Sequence, residues 1–410
     1  MARVAGAAGA YARRVSFNER LYLAAERLAP GFCIQMVIEA EGEISAERLG
    51  EAVARAAEVN PGARLILRGV LGWARWVPLA PLPAVRVLSG WAPDSPPPPE
   101  VERPLCPYGG PTCELVLAPG PRPRIVFRCF HGVMDASGLL HFAREVFRSL
   151  RGEALLGAPC PLSDTEFVRS LGSGERRPPL KSDCPPLAGT SSSRSRAVRW
   201  QRLALGGPAL ALVAKIVAVL ARHAAPAAPA RAMIPVDLRN YRAEPHSTGN
   251  RTYPFFVDLS EALSWQAFHR IVLKRLKTRE PLRLDPAEAL VPWLPLWLLT
   301  AVYARWTRGH RAAGRFPFSA LVTHLALPSA AQLSADGLAC RSVYLLPPQS
   351  DFIPLCVSAV SSPEATNIVV SAPEDLLDRE GLSRLCEAIR SGVAAPTPAL
   401  RDLPGPGAGP

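Results

Sequence analysis

Hydrophobic positions along the first half of the chain alternate between two periods, and the changes of period mark the elements. Phe32 to Ile38 is a short apolar run rich in β-formers and reads as a strand. From Ser45 onward Leu49, Val53, Ala56 and Val59 recur at three- and four-residue intervals, which places them on one helix face. Asn60-Pro61-Gly62 stops that helix, and Ala63 to Leu67 and Trp73 to Val77 read as further strands. Pro93 to Pro111 is a surface loop, because proline fixes φ and lacks the N–H that a helix or central strand needs. Arg124 to Phe130 then reads as a strand, His131 to Asp135 as a turn, and Ser137 to Leu150 as a helix. In that helix Leu139, Leu140, Phe142, Ala143, Val146, Phe147 and Leu150 keep helical spacing.

Residues 171–197 are rich in Gly, Ser, Pro and Arg and read as a linker. Beyond it the pattern predicts an apolar helix over about Pro208 to Ala225, whose Lys215 and Arg222 assign it to a core and not to a bilayer. Met233 to Arg239 follows, then the turn-rich His246 to Asn250, a strand over Tyr253 to Leu259 and a helix over about Ser264 to Lys277. Pro292 to Trp306 carries Trp293, Trp297 and Trp306 among leucines and reads as a buried helix packed between lobes. Leu321 to His324, Ser342 to Leu346, Ile353 to Val360 and Asn367 to Ser371 read as strands, and Arg379 to Arg390 as a closing helix. The class is α/β. The expected division is an N-terminal lobe over 1–170, a linker over 171–197, a C-terminal lobe over 198–395 and a disordered tail over 396–410, with Met1 to Ala12 a flexible start and not a signal peptide. No short-period repeat is present, which excludes a solenoid or propeller.

Composition changes the picture in two respects. The formal net charge of +12 comes almost wholly from arginine, spread without a dense basic run or an aromatic-interleaved stripe, so nucleic acid is not the expected partner. An acidic protein or a phosphorylated carrier fits the charge better. The nine cysteines are scattered and form no C-x-x-C pair, so neither a disulfide framework nor a zinc site is expected, and the reading is a reducing cytoplasm.

Candidate chemistry concentrates at His131 and Asp135, in a glycine-containing turn between a strand and a helix. On spacing alone two readings stand: Asp135 as a helix cap with His131 a hydrogen-bonded strand-end residue, or both as parts of a site. Other candidates are weaker. His141 and Glu145 share a helix face at i, i+4 and read as a partly exposed pair without a further metal ligand. Ser137 lacks a G-x-S-x-G elbow, and Gly206-Gly207-Pro208 lacks the Lys-Ser/Thr of a phosphate loop. Cys129 reads as a buried strand residue.

The run FRCFHGVMDASGLLH, residues 127–141, resembles the H-H-x-x-x-D-G motif of the condensation-domain and chloramphenicol-acetyltransferase-like acyltransferases. The resemblance extends outward. ERLY from Glu19, VIEAEG from Val37 and RLGEAV from Arg48 are similar to the family's opening elements, and NPGAR from Asn60 stands in the place of its H-P-x-L-R stretch. IPVDLRN from Ile234 with TGN from Thr248 is similar to the P-V-x-x-R and G-N element of the second lobe. FSALVTHL from Phe318 lies where the family has S-N-L-G. The likeness spans roughly residues 17–392, with departures at Phe130 for the first His, at Ala136 for the Gly, and at 321–326, which lacks Asn-Leu-Gly.

This resemblance implies two chloramphenicol-acetyltransferase-like lobes in a V-shaped pseudo-dimer with a central tunnel. It also implies a stand-alone enzyme of specialised metabolism that moves an acyl group from an acyl-CoA or phosphopantetheinyl carrier-protein thioester to an amine or hydroxyl acceptor. His131 would be the general base, with Asp135 and Arg239 supporting the site and Gly132, Asn250, Ser319 and Thr323 lining it. No metal, bound cofactor or membrane span is expected. The alternatives are a catalytically silent relative that binds a carrier protein or acyl group, and a wax-ester or lipid acyltransferase.

Overall fold

The structure is a computed structural model that describes residues 11–91, 95–172, 175–180, 182–187, 191, 193–223, 229–243, 245–259 and 264–394. The expected 396–410 tail and residues 1–10 of the expected flexible start lie outside the described residues. The first half contains β1 (Arg13–Arg14), α1 (Phe17–Leu28), β2 (Cys33–Gly42), α2 (Ala46–Val59), β3 (Ile66–Arg68), β4 (Arg75–Val77), β5 (Val85–Val87), β6 (Cys113–Ala118), β7 (Arg124–Phe130), α3 (Ala136–Leu150) and α4 (Asp164–Ser170). The second contains β8 (Val198–Gly206), α5 (Leu212–Arg222), β9 (Ala230–Asp237), β10 (Thr252–Leu259), α6 (Trp265–Lys277), α7 (Leu296–Ala313), β11 (Ala320–Ala326), β12 (Leu338–Leu346), β13 (Cys356–Ser361), β14 (Ala365–Pro373) and α8 (Arg379–Ala394).

Local sequence accounts for several boundaries. Ser45 and Ser264 cap α2 and α6 by accepting the Arg48 and Ala267 amides. Ser16 and Glu19 form a reciprocal capping box at the start of α1. Of the expected flexible start, Tyr11 is buried in the core and Ala12 is exposed.

A five-stranded sheet runs in the order β12-β2-β7-β6-β5, and a six-stranded sheet in the order β10-β9-β11-β13-β14-β8; β1-β4-β3 form a small third sheet. One face of the five-stranded sheet packs Met36, Ile38, Ile125 and Phe127 against the apolar stripes of α2 and α3. Its other face buries Val37, Val116 and Val126 with Tyr344, Leu346 and Val369 from the second half. Two apolar faces explain why Phe32 to Ile38 reads as an apolar run without strict alternation. The six-stranded sheet forms a separate core with α5, α6 and α8.

The five-stranded sheet draws on both halves of the chain: β12 crosses from the second half and pairs antiparallel with β2, Leu346 opposite Gln35. This pairing occupies an edge of β2 that would otherwise expose unpaired backbone groups. One expectation needs correction: the segment 292–306 is not buried between lobes, for Leu299 is enclosed but Trp293, Trp297 and Trp306 are exposed. No helix among the described residues is long and apolar enough to cross a membrane.

Candidate active site

Strand β7 ends at Phe130, whose partner in the antiparallel pairing is Cys33 at the start of β2. His131, the next residue, therefore sits beside Phe32, and its amide donates to the Phe32 carbonyl at 3.3 Å. Gly132, Val133, Met134 and Asp135 are buried, so His131 is the one residue of the turn that keeps partial exposure. Its own carbonyl accepts the side-chain amide of Asn250 at 2.9 Å, which ties the turn to the second half of the chain.

Asp135 combines a helix cap with a long-range ion pair. It caps α3 by accepting the Gly138 amide at 2.7 Å, and it forms a two-pronged pair with Arg239, both N–H to O distances being 3.0 Å. It also accepts the Arg251 amide at 2.7 Å and is almost wholly buried. Arg239 donates further to Asp237 at 3.1 Å and to the carbonyls of Ser247 and Gly249 at 3.2 and 2.6 Å. Burial opposes the guanidinium charge, but the Asp135 and Asp237 carboxylates outweigh it and raise the Arg239 pKa. Gly138 makes this junction close: a Cβ there would overlap the Thr248 carbonyl.

Behind the turn lies a network that sequence reasoning did not assign. Arg13 and Glu19 form a fully buried ion pair. Arg13 donates to the Val133 carbonyl at 2.9 Å, and Glu19 accepts from the Trp76 indole at 3.0 Å and from Asn250 at 3.3 Å. The S-x-x-E pattern of Ser16 and Glu19 was a readable signal for the helix, but not for this second use of the glutamate.

The His131 ring is packed among aromatics. Tyr22 from α1 stacks on it with centroids 4.1 Å apart, and Phe32 lies 5.6 Å away on a nearly parallel plane. Phe352 stacks on Phe32 at 6.1 Å, and Tyr303 of α7 meets Phe352 edge-on at 5.7 Å. Burial pushes the His131 pKa below its ordinary value, opposed by Asp135, by nearby backbone carbonyls and by Asn250, and Nδ1 is enclosed without a hydrogen bond of ordinary geometry. Burial likewise raises the Tyr22 hydroxyl pKa.

The remaining candidates fall elsewhere. The Ser319 hydroxyl is buried and committed to the Pro185 carbonyl at 2.7 Å, while Thr323 sits on β11 opposite Ser358. Among the described contacts none ties either residue to His131. Cys129 is buried in β7 and its thiol pKa is raised well above the ordinary value by burial. His141 and Glu145 are not the partly exposed pair expected: Glu145 is enclosed and accepts the Gly157 amide at 2.7 Å. No cluster of three metal-ligating side chains occurs among the described residues.

Two α/β halves joined by a crossing strand, with the H-x-x-x-D turn at their junction, define the condensation-domain fold with its two chloramphenicol-acetyltransferase-like lobes. Solved structures similar to this chain include the starter condensation domain of rhizomide synthetase RzmA, as a mutant in complex with C8-CoA and Leu-SNAC. The TM-score is 0.66 at 16% identity, covering 93% of this chain and 94% of that one. Another structure of the starter condensation domain of RzmA gives a TM-score of 0.61 at 17% identity, covering 94% and 96%. The condensation domain of the Monacolin K polyketide synthase MokA gives 0.62 at 12% identity, covering 93% and 96%. No family model and no curated protein matches the sequence.

Proposed function

We propose that the protein is an acyltransferase of the condensation type, which moves an acyl group from a coenzyme A or carrier-protein thioester to an amine or hydroxyl, with His131 as general base. The observation that carries this reading is the isolation of His131: in a turn whose other side chains are buried, it alone keeps partial exposure, while Asp135 is turned into the pair with Arg239. The lowered pKa keeps the imidazole neutral near pH 7 and able to accept a proton. With Nδ1 enclosed, Nε2 is the nitrogen available to a substrate. It takes the proton from the acceptor N–H or O–H as that atom bonds to the thioester carbonyl carbon. As the C–S bond breaks, the imidazolium returns the proton to the departing thiolate. No acyl-enzyme is required. Asp135 and Arg239 are positioning residues, holding the turn and the start of α3 against the 246–251 segment.

Binding of C8-CoA by the RzmA domain supports an acyl thioester as co-substrate here. The test is acyl transfer from a panel of acyl-CoA and acyl-carrier thioesters to small amines and alcohols. His131→Ala is expected to lower turnover by roughly 10²–10⁴ with the fold intact. A folded His131→Ala protein with full turnover overturns the mechanism.

The Tyr22 stack favours a second reading, in which the protein binds an acyl carrier without transfer because the ring covers His131. Tyr22→Ala distinguishes the two. Thioester binding without transfer in both wild type and Tyr22→Ala supports the silent binder, and transfer in either supports the enzyme.

A further inference from the structure

The tryptophans of the 292–306 segment are spent neither on the core nor on the site. Trp293 is 51% exposed and Trp297 66%, and beside them Trp73 is 64% and Val70 68% exposed on the β3–β4 connection. The two segments, more than two hundred residues apart in sequence, form one surface. The Trp73 and Trp293 rings meet edge to face at 5.2 Å, and the Arg20 guanidinium donates to the carbonyls of both Leu71 and Leu294. Farther along α7 Val302 and Trp306 are also exposed, but on the other side of the helix from Trp297.

Along the two segments themselves the charge has one sign, and among the described ion pairs the carboxylates that meet α7, Asp183 and Asp375, do so at its far end, on His310 and Arg311. No Asp or Glu occurs between Glu58 and Asp94, nor between Glu288 and Asp336, whereas Arg68, Arg305 and Arg308 within those stretches are exposed. The indole N–H groups of Trp73, Trp293, Trp297 and Trp306 take part in none of the described hydrogen bonds. A large apolar ring with a free donor, on segments that carry arginine and no carboxylate, suits the boundary between anionic headgroups and acyl chains. An acidic protein surface offers the same charge, but not an apolar layer deep enough to take several indoles at once.

We propose that this face, formed by the β3–β4 connection and the start of α7, docks the protein peripherally on an anionic lipid bilayer. The indoles enter the interface and the arginines meet the headgroups.

The test is co-sedimentation of the full chain with extruded vesicles of phosphatidylcholine alone and of equal parts phosphatidylcholine and phosphatidylglycerol, followed in parallel by tryptophan emission. Expected are binding to the anionic vesicles with a blue shift, weakening as salt rises from about 0.1 M to about 1 M. A loss of about tenfold or more is expected in the Trp293→Ser/Trp297→Ser variant, whose circular dichroism and melting should match wild type because both side chains are exposed. Failure to bind anionic vesicles, or binding unchanged in the variant, overturns the proposal. So does sedimentation-velocity evidence that wild type self-associates through this face and that the substitutions abolish that association, which assigns the surface to a second copy.

Discussion

Removing Asp135 takes away the acceptor of four N–H groups: the Gly138 and Arg251 amides, both at 2.7 Å, and two N–H groups of Arg239 at 3.0 Å. The carboxylate is 2% exposed and the guanidinium 18%, so water can replace little of what is lost. Breaking a buried pair from one side costs about 3–5 kcal/mol, and loss of a helix cap about 1 kcal/mol within that range. Asp135→Ala is therefore expected to destabilise by about 4 kcal/mol. Arg239→Ala leaves Asp135 with two backbone donors, so about 3 kcal/mol is expected. The double variant strands neither charge and should lose about 5 kcal/mol, a coupling of about 2 kcal/mol between the two sites. Urea unfolding of the four proteins near pH 7, compared at equal slope, measures the cycle. Single losses under about 1 kcal/mol that simply add would refute the claim that this pair holds the turn to the second half.

Gly138→Ala should cost about 1–3 kcal/mol, because the new methyl meets the Thr248 backbone carbonyl and must push α3 away from the 246–250 segment; melting equal to wild type would contradict that close approach. His141 supplies a pH signature: burial draws its pKa down to about 4, with Glu145 opposing. The unfolded chain therefore binds the proton first as pH falls, and stability is lost between about pH 6.5 and about pH 4, by up to roughly 3 kcal/mol. In urea titrations across that window His141→Gln should lose less than wild type on acidification, and an equal loss in both would show that this histidine titrates normally.

The strand, turn and helix around His131 were legible because each residue type there states its own local preference. The period changes from that of a strand to that of a helix across a glycine-containing turn, and the observed β7 begins and ends where the pattern placed it, with α3 starting one residue early. The capping serines of α2 and α6 likewise act on amides three residues away. Strand β6 was missed because both of its faces are buried, so CELVLA shows no alternation, and α1 was missed although its Ser16 and Glu19 carried the capping signal.

What the sequence could not decide is what long-range pairing decides. Phe32 reaches His131 only because β2 runs antiparallel to β7 with Cys33 opposite Phe130, and Phe352 and Tyr303 join them from the far end of the chain. Arg239 was placed by resemblance, but its distance from Asp135, the buried Arg13 and Glu19 behind the turn, and the transfer of β12 into the first sheet belong to the tertiary structure. The tryptophans of 292–306 mark the limit most clearly. Their hydrophobicity gives the free energy that burial would release, a property of each side chain alone; whether a covering surface exists depends on every other element of the fold, and here none of the described ones supplies it.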